Sequence, residues 1–421
     1  MPTPTTEERQ GWPEALRDAP QPNDRFPWRL ILPWISGSAV LLVLLLTMLG
    51  YLLWRARYQI LFLNSANNLV TVRADGSGAR PVTFAELDGA RFRQPQWAHD
   101  GRRFAALTRY NGKDYALVAQ PGSDTPLLVS ASMGRLQSLP ASAWSPDDTR
   151  LAIMGSPNEQ GGTALFLVDP AQSTLITADA TLVPQVPLDW HPRESRFIIT
   201  SQTPAFTPTL RIVTADGTST EFAPPDQQES RSFGAWSPDG GRIAYVATNT
   251  DHTNNLRGGI WVANSDGSDA RQIVKDGLNF APIWSPAGDV VFFTRWLTQT
   301  DTYDLYRVTT DGATTVRVGA GTPAAGVLRL LEWSPDQTKL IFQSLDRSTD
   351  RATIWIANGD GSNPQSLLTK PEVQGYLSAH WAPTGRALLL VTPENTIVLH
   401  WLDTQRAETR LAVGSAPNWQ P

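Results

Sequence analysis

Five histidines, His99, His191, His252, His380 and His400, are the side chains of this 421-residue chain best suited to metal ligation or proton transfer. A metal site needs two to four ligands converging on one point. These five occupy unrelated offsets: two after Trp97, one after Trp190, one before Trp381, one in a long loop and one in a late strand. They read as turn and surface residues. The absence of cysteine excludes disulfides, thiolate metal sites and cysteine nucleophiles. Asp147, Asp239 and Asp336 each follow a Ser-Pro pair, so their oxygens suit local backbone N–H groups better than paired acid–base work. The polar run 249–255 lacks the alternating oxygen ligands of a calcium loop and reads as an exposed excursion. These residue types predict no metal, no cofactor and no catalytic constellation.

The elements that carry them repeat. Trp97, Trp144, Trp190, Trp236, Trp284, Trp333 and Trp381 are separated by 47, 46, 46, 48, 49 and 48 residues, and Trp419 follows. Most head a variant of one phrase, fullest at 236–245: Trp-Ser-Pro-Asp-Gly-Gly-Arg-Ile-Ala-Tyr. A period of this length, with one turn and a few short strands per unit, is the signature of a β-propeller. Within a unit a strand ends at the tryptophan, a tight turn follows, and an alternating strand such as 243–246 leads to a variable loop. A hairpin then closes on Asp-Gly, as at Asp75-Gly76, Asp216-Gly217, Asp266-Gly267, Asp311-Gly312 and Asp360-Gly361. Proline presets φ, aspartate accepts local N–H bonds and glycine takes the positive φ that reverses the chain. A tryptophan recurring at every unit is a core element between blades, since a ligand-binding ring would occur in one or two units.

The ends fix the blade number. Residues 58–86 hold the later strands of a unit but no leading tryptophan phrase, whereas 412–421 read as a leading strand with nothing after it. The expected fold is therefore all-β: an eight-bladed propeller, four strands per blade, whose first blade is closed by the C-terminal strand so that no sheet edge stays exposed.

Ahead of the propeller, expected over 56–421, the chain changes character. Residues 1–28 are proline-rich without apolar periodicity and read as a disordered tail. From Leu30 to Trp54 no residue is charged, and 25 residues at ~1.5 Å each exceed the ~30 Å of a bilayer core. Residues 29–55 are therefore expected to form one uncleaved transmembrane helix, with the lipid bilayer as partner of residues 30–54. Arg25 and Arg29 on one side balance Arg55 and Arg57 on the other, so charge does not orient it. With 35 basic and 40 acidic residues interspersed, no basic stripe suggests nucleic acid.

The repeated phrase at 236–267, with close copies at 144–153 and 333–342, resembles the TolB-like propeller family and its WD-like repeats. The resemblance implies a mostly bacterial, mostly extracytoplasmic group that includes protein-binding rings and the propeller halves of serine peptidases. No Gly-x-Ser-x-Gly elbow or hydrolase domain follows the propeller in this sequence. The expectation is an outward-facing, membrane-anchored binding scaffold for a protein, peptide or glycan. An enzyme of the glycan lyase or hydrolase type, with its site in the central channel, is the alternative. Variable loops carry recognition, so Arg93, Arg231, Phe280, Arg329 and Tyr376, which precede tryptophans near the channel mouth, are the candidate ligand contacts.

Overall fold

The computed structural model describes residues 59–421 except 131–134, 141–142, 157–162, 179–181, 204, 225–229, 250–256, 276, 319–326, 347–350, 368–375 and 403–407. The expected tail and membrane span lie outside the described residues. Among the described residues no helix is long and apolar enough to cross a membrane.

The repeat folds as eight blades of four antiparallel strands. In blades 2 to 8 the leading strands are Arg91–Trp97, Arg135–Ser138, Pro184–Trp190, Ser230–Trp236, Leu278–Trp284, Val327–Trp333 and Ser378–Trp381. They form the inner wall of the ring: Ser230–Trp236 packs on the leading strands of both neighbouring blades, Pro184–Trp190 and Leu278–Trp284. Blade 1 joins Gln59–Leu63, Leu69–Arg73 and Arg80–Pro81 to the C-terminal Ser415–Trp419. Ile60 pairs with Trp419 and Leu61 with Asn418, which is the closure expected from the two incomplete ends. The Gln59 carbonyl accepts the Gln420 N–H at 2.8 Å, so the clasp runs beyond the strand itself.

The tryptophans fill the seams. Trp97, Trp144, Trp190, Trp236, Trp284, Trp381 and Trp419 are buried, and Trp333 is half-buried. An arginine six residues after one tryptophan lies over the ring of the next: Arg103 over Trp144, Arg196 over Trp236 and Arg242 over Trp284, at 5.6, 5.1 and 4.7 Å from the ring centres. Each cation–π contact links consecutive blades.

The turns behave as their residues require. Ser237 Oγ donates to Asp239 Oδ1 and accepts from the Arg242 N–H, while Asp239 also accepts the Gly241 N–H. Ser334, Asp336, Thr338 and Lys339 repeat the arrangement. Gly240 sits at φ +74° with His191 pressed against it; a Cβ there would fall 2.2 Å from His191 Nε2. That turn admits only glycine, for backbone and for space.

One regular feature has no counterpart in residue type. Gln94, Phe233, Ala281 and Ala416, each three residues before a seam tryptophan, take positive φ of 46–53°. At Gln94, Phe233 and Ala281 the register of the leading strand shifts across this point. The β-bulge re-aims the last residues of the inner strand.

Candidate functional site

The re-aimed residue just before each tryptophan reaches the next blade. Asn418 Oδ1 accepts the Trp97 N–H at 2.9 Å, Asp189 Oδ2 that of Trp236 at 2.6 Å, and Glu332 Oε2 that of Trp381 at 3.1 Å. Gln96 works differently, donating to the Pro140 carbonyl at 2.6 Å. Where the residue is Ala235, its carbonyl takes the Trp284 indole N–H at 3.0 Å instead. These bonds give backbone groups of the inner strands and their ends partners in the next blade.

Inside this ring lies a cavity of about 900 Å³, lined by the inner strands of blades 2 to 6. Its wall is mainly apolar, with Pro140, Leu188, Phe233, Ala235, Pro282 and Ile283 among the lining residues. Pro192 and Pro238, at the starts of their turns, carry the lining to the turn face. Among the described residues Asp189 is the only charged one of that lining. Burial pushes its carboxyl up to about 6 from the ordinary 3.8, against the opposing effect of the Trp236 N–H. On another sector of the inner wall Glu332 and His380, both half-exposed, approach to 3.7 Å.

The sequence-selected contacts have varied places. Arg93 reaches into blade 3, donating to the carbonyls of Gln137 at 2.8 Å and Leu136 at 3.1 Å, with Asp114 at 3.8 Å. Arg231 is half-buried and donates to the Pro224 carbonyl. Phe280 belongs to a row of half-buried aromatic rings, Phe233–Phe280–Tyr303–Trp296, with successive centres 6.1, 6.1 and 6.3 Å apart. Trp296 and Tyr303 flank the loop between Val290–Leu297 and Thr302–Thr309, so the row crosses the loop side of blade 6. Arg329 lies on Val327–Trp333, opposite Gln343, and its side chain is outside the description. Tyr376 is a core residue, 3% exposed, whose hydroxyl donates to Glu408 Oε1 at 2.9 Å. Burial first, then the Glu408 charge, raises its phenol. Arg93, Arg231, Phe280 and Tyr376 are not among the residues that line the axial cavity.

The described histidines are held in separate places. His99 meets Asp148 at 2.9 Å, His191 is packed edge-on against Trp236, and His400 meets Glu408 at 3.0 Å. Burial lowers the His191 pKa. His252 lies outside the described residues. Among the described residues no group of three or more His, Asp or Glu could hold a metal ion. The turn aspartates are held in their charged form: the Ser237 hydroxyl lowers Asp239, and the Thr214 hydroxyl leads the bonds that bring Asp216 down to about 2.

Asp189 went unsingled by sequence reasoning. The positions before the tryptophans hold Asn, Gln, Ala, Asp, Ile, Glu and His, so no pattern marks one of them. The aromatic row was half legible, through Phe280 alone.

Comparison with known proteins gives a consistent fold. The family model described as TolB beta propeller domain matches residues 194–421, more than half of the chain. No curated protein sequence matches. Among solved structures, a eukaryotic initiation factor superimposes with TM-score 0.55 at 15% identity, over 85% of this chain and 85% of that one. An oligogalacturonate lyase in complex with manganese gives 0.52 at 15% identity, over 82% of this chain and 96% of the other. The propeller domain of the Trilobed protease from Pyrococcus furiosus gives 0.51 at 12% identity, over 77% and 98%. At these identities the likeness is one of fold.

Proposed function

We propose a binding role for this chain, which belongs to the TolB beta propeller domain family: a membrane-anchored, extracytoplasmic scaffold that presents its loop face to a protein, peptide or glycan. The observation that carries the reading is the aromatic row Phe233–Phe280–Tyr303–Trp296 on the loop side of blade 6. Half-buried rings held by their neighbours offer contact area at little entropic cost, which is why aromatics anchor interfaces. Residues 30–54 supply the anchor in this reading, and the propeller faces outward.

Two measurements test it. Carbonate extraction and protease protection of the full chain should leave it in the membrane with the propeller cleavable from outside. Peptide and glycan arrays probed with the solubilised chain should give saturable binding that Phe280→Ala and Trp296→Ala weaken. Release by carbonate would remove the anchor, and arrays without reproducible binding would remove the scaffold.

One observation favours the enzyme alternative, a glycan lyase or hydrolase. Glu332 and His380 pair across a seam of the inner wall with both side chains half-exposed, as an acid–base couple requires. Turnover of an oligosaccharide lost in Glu332→Gln would support it.

A further inference from the structure

We propose that the axial cavity binds an alkylammonium group, a primary ammonium on an apolar stem, with Asp189 as its counter-charge. This site shares only Phe233 with the loop-face row and does not depend on the scaffold reading.

The ring contains its own control. Asn418 and Asp189 occupy equivalent positions and do the same work, accepting the N–H of the next blade's tryptophan. A neutral amide oxygen is therefore enough for the seam, and the ionisable group at 189 is surplus to it. Asp189 spends one oxygen on Trp236; the other has no hydrogen bond, and no cation forms a salt bridge with the carboxylate, among the described residues. Nearby Arg196 lies over Trp236 and is held by Glu194 at 2.7 Å. A carboxylate in a largely apolar wall without a counter-ion is costly. Its raised pKa is the signature of that desolvation.

The cavity supplies the rest of the specificity. Its ~900 Å³ falls within the range of small-ligand sites. Leu188, Phe233, Ala235, Pro282 and Ile283 suit an apolar stem, and Asp189 repels an anion. The lining reaches Pro192 and Pro238 on the turn face. The ammonium comes from a small amine or from a lysine side chain of a polypeptide; the chemistry at Asp189 is the same.

Calorimetry on the full solubilised chain tests this with n-butylammonium, its neutral isostere 1-butanol, and butanoate. Saturable binding of the amine at one site, without binding of alcohol or acid, is expected. Asp189→Asn should weaken the amine about tenfold or more, with an unchanged near-ultraviolet dichroism spectrum because asparagine keeps the seam bond. N-acetyl-lysine amide binding more tightly than butylammonium identifies a polypeptide source, and weaker binding identifies a small amine; both support the site. Equal binding of alcohol and amine by the wild-type chain overturns the proposal, even if the variant does not fold. So does amine binding that Asp189→Asn leaves unchanged, or no saturable amine binding at all.

Discussion

The seam between blades 1 and 2 and the seam between blades 4 and 5 share one hydrogen bond and differ in the group that accepts it. In the first, Asn418 accepts the Trp97 N–H; in the second, Asp189 accepts that of Trp236. Both tryptophans are about equally buried, at 6% and 5% exposure. One seam also closes the ring, joining residues more than 300 apart in sequence, whereas the other joins neighbours in the repeat. The packing of a seam is thus separable from its charge: the repeat fixes the first, and the residue before the tryptophan is free to set the second.

The harshest way to break this equivalence is to remove residues 415–421. That exposes the edge of Gln59–Leu63 and uncovers Trp97, so we expect a loss above ~5 kcal/mol, beyond the cost of one core residue, or aggregation through the open edge. Thermal melts and size-exclusion chromatography would read it. Stability close to the full chain's would show that the ring does not need its clasp.

Next come the rings themselves. Trp97→Ala and Trp236→Ala should each cost about 3–5 kcal/mol in chemical denaturation. Equal costs sharpen the comparison, because they show that Arg196 and His191 against Trp236 add little to that seam. Trp333→Ala, which removes a half-buried ring, should cost less.

Asn418→Ala leaves the Trp97 N–H without its partner and should cost about 1–3 kcal/mol. Asn418→Asp keeps an acceptor there and is predicted to bring a pH-dependent stability that the native residue lacks.

Asp189→Asn should have the smallest effect. The folded-state pKa of Asp189, about 6, lies above its ordinary 3.8, so between these values the folded chain keeps a proton the unfolded chain has released. Stability from this group is therefore present below pH 4 and is lost as pH rises through 6. The variant should exceed wild type by on the order of 1–2 kcal/mol at pH 7, with the gap vanishing near pH 4. Parallel melting curves across that range would show that Asp189 ionises without penalty.

Most of the fold was legible because its signals are local and repeated. The tryptophan spacing set the blade, the Ser-Pro-Asp and Asp-Gly turns set its reversals, and two incomplete ends set the closure. The seam arginines were also present in the spacing, six residues after Trp97, Trp190 and Trp236. The bulges at Gln94, Phe233, Ala281 and Ala416 were not, since none carries the glycine or asparagine that marks positive φ. Residue type alone also misjudged Tyr376: an aromatic before a tryptophan suggested a mouth contact, but its ring is sealed into the seam between blades 7 and 8. Arg93 is exposed as expected, yet it also ties two blades together.

By itself the sequence determined the number of blades, the strand order within each and the partner that completes the first. Each follows from turn chemistry and from periodic burial, which act over a few residues and repeat. Only the tertiary structure decided which inner-strand residues face the axis, because bulges without a sequence marker turn them there. It also decided that Asp189 is desolvated with no cation paired to it among the described residues, since desolvation is a property of the assembled wall and of no single repeat.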